Sequence, residues 1–234
     1  MATERKTNLT EVKVVARWLL FTDVHTTEYS PVIVHHPFAS SGLTILPGTN
    51  EFLDITASKE SRGKWCDYLS KKIDEAEDAY DIFMMLNKTY ALTFIKYAID
   101  HLSAEDLSAV LAEAWIHAEA PNMDVNVSKT ELVKFFSQAD KASLMTAAER
   151  KQLADLPDIV TVYRGVTSYN AKNVRALSWT LDKSKAEWFA HRFGESGTVY
   201  QAQINKADIL AVFMSRGESE VVLNPRKLIQ TKAV

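Results

Sequence analysis

Ile159-Val160-Thr161-Val162-Tyr163-Arg164-Gly165 follows Pro157 at the start of the last third of the chain, rich in β-branched and aromatic residues and without helical spacing. Such a run reads as a strand. The stretches from Thr198 to Ile204, Ile209 to Phe213 and Glu220 to Leu223 have the same character, and a helical pattern from Asp182 to Phe193 interrupts them. Upstream the period lengthens. Between Ser61 and Leu156 apolar residues recur at helical spacing, as in Leu107, Val110, Leu111, Ala114, Trp115 and Ala118, which buries one face of a helix. Ser103-Ala104-Glu105-Asp106, Ser128-Lys129-Thr130-Glu131 and Thr146-Ala147-Ala148-Glu149 have the form of capping boxes. The aromatic and methionine groups of this region, Trp65, Tyr68, Leu69 and Phe83, Met84, Met85, read as core.

Before residue 61 the apolar runs are short, as in Val14-Val15-Ala16, Pro31-Val32-Ile33-Val34 and Leu43-Thr44-Ile45-Leu46. They predict an irregular segment with a few short strands. His35 and His36 point opposite ways on a strand and have no carboxylate or cysteine at ligand spacing, so they read as structural. The chain is therefore expected to be an α+β protein in three parts. Residues 1–60 form the irregular segment, 61–157 a mainly helical lobe, and 158–234 a β-rich mixed β core. No Gly/Ser linker separates the last two, so the helical lobe is expected to pack on the core as one unit.

At 234 residues the chain is long enough to bury a core and shape a cleft without disulfides or metals. Its 47% apolar and 24% charged residues are those of an ordinary globular domain, which sets aside disordered and fibrous classes. The formal net charge of -3 comes from interspersed signs and offers no basic surface for a phosphate backbone, so nucleic acid is not the expected partner. Cys66 is the single cysteine; it excludes an intrachain disulfide, and no metal is expected. The apolar stretch from Val12 to Phe21 is broken by Lys13 and Arg17 and is too short to span a bilayer. Neither a signal peptide nor a membrane partner is expected. The expected location is cytoplasmic, in the producing cell or in a target cell after delivery.

Three short strings stand in order along the last third: Tyr163-Arg164-Gly165, Ser178-Trp179-Thr180 and Glu218-Ser219-Glu220. Each alone has a plain alternative. Arg164 fits a surface strand, Ser178 a turn before a helix, and the glutamates a solvated edge. Together they supply what cleavage of an N-glycosidic bond to nicotinamide requires. Positive charge develops on the ribose carbon, and a carboxylate, here Glu220, stabilises it. The pyrophosphate of NAD needs a fixed cation, and Arg164 offers a planar fork. Ser178 can bond the arginine strand or orient the carboxylate. On an alternating strand end Glu218 would face the same side as Glu220 and could deprotonate or orient the incoming nucleophile.

In these strings the chain resembles the arginine-serine-glutamate class of mono-ADP-ribosyltransferases, which includes bacterial toxins. The resemblance covers about residues 160–228. It implies an NAD-binding core of the ADP-ribosyltransferase type, with Arg164, Ser178, Glu218 and Glu220 as catalytic residues and NAD consumed as a substrate. It also implies that the Gly165 backbone holds the nicotinamide amide, that Phe189 packs on nicotinamide and that Arg192 meets the phosphates. Phe189 equally fits a core position, and Arg192 a last-turn cation favoured by the helix dipole. Phe213-Met214-Ser215-Arg216-Gly217 corresponds to the turn that recognises the acceptor. A glutamate at position 218 implies a protein arginine as that acceptor. Trp179 departs from the small middle residue of the serine motif, and 166–176 is short for the helix that many members place there, which assigns part of the pocket wall to the helices of 128–156. Two further readings share these residues: an NAD glycohydrolase, in which water intercepts the sugar cation, and a binding module without catalysis.

Overall fold

The computed structural model describes residues 5–234, except Glu195, Arg216 and the side chain of Phe193. Arg216 of the turn before the glutamates therefore lies outside the described residues. The chain divides into two units, 1–118 and 119–234, and the architecture is α+β. The boundary at 118/119 falls inside the helical lobe expected over 61–157, so the helices of that lobe divide between the two units.

In the first unit, helix α1 (Leu9–Leu20) is followed by a three-stranded antiparallel sheet of β1 (His25–Thr27), β2 (Ser30–His36) and β3 (Ala39–Ser41), in that order. A hairpin of β4 (Leu43–Ile45) and β5 (Phe52–Asp54) comes next, then α2 (Lys59–Glu75), α3 (Ala79–Phe83), α4 (Ala91–Ala98) and α5 (Ala104–His117). Helix α1 corrects the expectation of irregular structure around Val14-Val15-Ala16. Asn8 accepts the Glu11 amide at its start, and Val12, Ala16, Leu19 and Leu20 form one buried stripe. A valine costs a helix only a few tenths of a kcal/mol, so burial of the stripe decides. At α5 the expected capping box is made indirectly. Ser103 accepts the Asp106 amide, while the Thr7 hydroxyl accepts the Ser103 amide and donates to the Asp106 carboxylate. Aspartate is one methylene shorter than the glutamate of the usual box, and the hydroxyl bridges the difference.

His36 is structural, as the sequence suggests. Its ring is fully buried edge-on to Trp65, with centroids 5.1 Å apart. Nδ1 accepts the Phe38 amide at 3.0 Å, so Nε2 carries the proton and donates to the Leu20 carbonyl at 3.2 Å, tying β2 to the end of α1. Burial pushes its pKa down from 6.5 to about 4. A base whose folded pKa is depressed stabilises the fold above its unfolded pKa and loses that contribution as pH falls. Between pH 6.5 and 4 the first unit should thus lose about 3 kcal/mol. Urea unfolding at stepped pH, with the His36 ring nitrogens followed by NMR, checks this; a ring that protonates near its ordinary pKa without loss of stability contradicts it.

The second unit begins with α6 (Lys129–Gln138), α7 (Lys141–Leu144) and α8 (Ala147–Asp155). Ser128 with Glu131 and Thr146 with Glu149 form the capping boxes expected at α6 and α8. The sheet strands are β6 (Ile159–Val166), β7 (Ser178–Thr180), β8 (Thr198–Asn205), β9 (Ile209–Phe213), β10 (Glu220–Leu223) and β11 (Ile229–Ala233), with α9 (Lys183–Ala190) between β7 and β8. Their order is β11-β8-β6-β7-β10-β9 and every pairing is antiparallel. The helices before the sheet rest on its β9 edge. Phe136 of α6 faces Phe213 with ring centroids 6.5 Å apart, and the Met145 sulfur accepts the Val212 amide at 3.3 Å. These contacts are why residues 129–155 fold with the sheet.

Candidate functional site

Strands β6 and β8 pair along eight residues, from Ile159 opposite Asn205 to Val166 opposite Thr198. Against β7, β6 makes a single pair, Tyr163 with Thr180. Where the ladder stops, a side chain takes its place: Arg164 Nη1 donates to the Ser178 carbonyl at 2.6 Å. Across β7, β10 sets Val222 opposite Ser178 and Glu220 opposite Thr180, which puts Ser178 and Glu220 on one face as diagonal neighbours. The Ser178 hydroxyl donates to Glu220 Oε1 at 2.5 Å. The arginine, the serine and the glutamate thus form one connected group, with the guanidinium on the backbone of the residue whose side chain holds the carboxylate.

Burial pushes the Arg164 pKa down to about 10, and the negative charge of Glu220 opposes the shift. Arg164 therefore stays charged at neutral pH, and its buried Nε–H has no hydrogen-bond partner in the structure. Trp179 alternates to the opposite face from Ser178 and is buried, with its ring N–H on the Ala176 carbonyl at 2.9 Å. Its bulk fills core behind the strand.

The turn before β10 is pinned from two sides. Thr180 Oγ1 donates to the Glu218 carbonyl at 2.6 Å, and the Leu181 amide to the Ser219 carbonyl at 3.1 Å. From the other side, Glu149 Oε1 accepts the Met214 amide at 2.7 Å while its second oxygen completes the α8 cap. Strand alternation does not extend to Glu218, which corrects the expectation for the pair. Ser219 has φ +45° and β10 starts only at Glu220, so Glu218 sits in the turn and outside the strand's alternation.

Gly165 is required by packing. A Cβ there would lie 2.1 Å from the Ala186 carbonyl oxygen, 2.6 Å from the Ala190 nitrogen and 2.9 Å from Phe189 Cβ. Gly197 on the approach to β8 is as tight, 2.2 Å from the Ala190 oxygen. The two glycines let α9 lie against the backbone of β6, where Ala186, Ala190, Val199 and Tyr163 cluster. Phe189 is half-buried at this contact, edge-on to Trp188 at 5.0 Å. Helix α9 ends at Ala190, so Arg192 falls in the following 3-10 turn and does not share a helix face with Phe189. Its exposed guanidinium lies over the Trp188 ring, 5.5 Å from the centroid.

Three residues that support the site carry no functional signal in the sequence. Asn122 Oδ1 accepts the Leu177 amide at 2.8 Å and its carbonyl accepts from Asn173 at 3.1 Å, fixing the entrance to β7. Lys129, the first residue of α6, donates to the Arg175 carbonyl at 2.6 Å. The start of α6 is thus tied to the segment that leads into β7, and residues 168–173 supply only a short 3-10 segment. Glu149 is visible in the sequence only as a cap. Among the described residues no group of three or more His, Cys, Asp or Glu side chains could hold a metal ion, and no helix is long and apolar enough to cross a membrane. No protein-family model matches the chain, and no curated protein or solved structure matches it.

Proposed function

We propose that the second unit is a catalytic core of the ADP-ribosyltransferase type, and that the chain is an enzyme transferring ADP-ribose from NAD to a protein arginine. The observation that carries this reading is the hydrogen bond from Ser178 to Glu220, with Arg164 on the carbonyl of the same serine. The bond between nicotinamide nitrogen and ribose breaks with its electron pair leaving on nicotinamide. Glu220, oriented by Ser178, stabilises the positive charge that develops on the ribose carbon. Arg164 supplies positive charge for the pyrophosphate. A guanidinium nitrogen of the acceptor then bonds the ribose carbon and gives up a proton, for which Glu218 is the nearest base in sequence. Gly165 and Phe189, in contact across β6 and α9, are the proposed nicotinamide end of the pocket. Arg192, which rests on Trp188, is the proposed further contact of the phosphates.

Glu218→Gln separates the two halves of the reaction. Nicotinamide release should stay within about tenfold of wild type, while arginine modification falls by about a hundredfold. Nicotinamide release read by chromatography and modified peptides read by mass spectrometry give both numbers. Equal transfer by the variant removes Glu218 from the mechanism, and NAD consumption without modified protein in wild type makes the chain a glycohydrolase.

A further inference from the structure

Two cations converge on one short piece of backbone in the second unit. Lys129 holds the carbonyl of Arg175 and Arg164 that of Ser178, each at 2.6 Å, so the ammonium and the guanidinium bracket the entrance to β7. Both retain donors. The Lys129 ammonium donates one of its three N–H groups to Arg175, and the Arg164 Nε–H is buried without a partner. A buried unpaired N–H costs free energy that a ligand oxygen can recover. The groups also act on each other: burial and then the Arg164 charge lower the Lys129 pKa. Like charges held together in a part-buried place are relieved by an anion between them. With a net charge of -3 over the chain, this pairing is a local feature and no sign of a basic surface.

We propose that Lys129 is the second cationic arm of the NAD pocket and that it binds, together with Arg164, the pyrophosphate of the dinucleotide. This rests on the reading of the second unit as an NAD-binding core. It assigns to α6 a direct part in ligand binding, where the sequence shows only a capping box. Pyrophosphate carries two charges and several acceptor oxygens. A point-like ammonium together with a planar guanidinium suits it better than either alone.

Calorimetric titration of the full chain with ADP-ribose, which keeps the pyrophosphate and lacks nicotinamide, tests the assignment. Lys129→Gln should weaken binding about tenfold and flatten its dependence on salt, while Lys129→Arg stays within about threefold of wild type. A second measurement needs no variant. Acetylation of Lys129 in wild type, read by mass spectrometry, should be slowed by ADP-ribose and not by adenosine, with the ion-paired surface residue Lys151 as the unprotected control. If wild type binds ADP-ribose but Lys129→Gln binds it equally and Lys129 is not protected, the assignment is wrong and the NAD-binding reading stands. If wild type does not bind ADP-ribose, the NAD-binding reading itself fails and takes this assignment with it.

Discussion

Glu220→Gln should lower nicotinamide release from NAD by about a thousandfold, with no acceptor modification left to detect. The amide keeps the size of the side chain and can still accept from the Ser178 hydroxyl, which donates to Glu220 Oε1 in the structure. It lacks the charge that stabilises the ribose cation, and removing one preorganised electrostatic partner of a transition state costs about 10²–10³ in rate. Loss of the charge has a second consequence. Glu220 is what opposes the burial effect on Arg164, so the variant leaves that cation less well compensated and should melt somewhat lower. Steady-state nicotinamide release, with a melting curve recorded beside it, separates the two effects. A variant that is folded and cleaves NAD at the wild-type rate sinks the assignment of Glu220.

Gly165→Ala should destabilise the second unit by about 3 kcal/mol or more, lowering its melting temperature by on the order of 10 °C. The new Cβ would meet two backbone atoms of α9, at 2.1 Å and 2.6 Å. Backbone cannot turn aside as a side chain can, so α9 must lift from β6 and carry Phe189 with it. The matching control is Gly63→Ala within α2, where nothing lies within 4 Å and where alanine is the better helix former. That variant should gain about 0.5–1 kcal/mol. Thermal unfolding of both decides the matter. An unchanged melting temperature for Gly165→Ala means that α9 is not seated on β6 as described.

The strands of the second unit were legible because their β-branched runs carry the pattern without help from distant residues. Helix α1 was not, since valines at 12, 14 and 15 suit a strand locally and only the buried stripe of Val12, Ala16, Leu19 and Leu20 makes the helix pay. The boundary at 118/119 left no trace either. Helices α5 and α6 have the same kind of amphipathic pattern and caps, and which unit each joins is decided by tertiary contacts such as Phe136 with Phe213. Within the site, Arg164, Ser178 and Glu220 could be picked out by their order along strands, and the structure brings them together. The turn at Glu218 was not legible because Ser219 is left-handed, a conformation that serine does not announce. Lys129, Asn122 and Glu149 were illegible as site residues because their partners there, Arg175, Leu177 and Met214, lie far along the chain.

The most direct experiment is to incubate the wild-type chain with NAD and a protein extract, then follow nicotinamide by chromatography and modified peptides by mass spectrometry. The expected result is nicotinamide release with ADP-ribose attached to arginine side chains, the first lowered about a thousandfold and the second undetectable in Glu220→Gln. NAD recovered intact, with no peptide modified, would contradict the proposed activity.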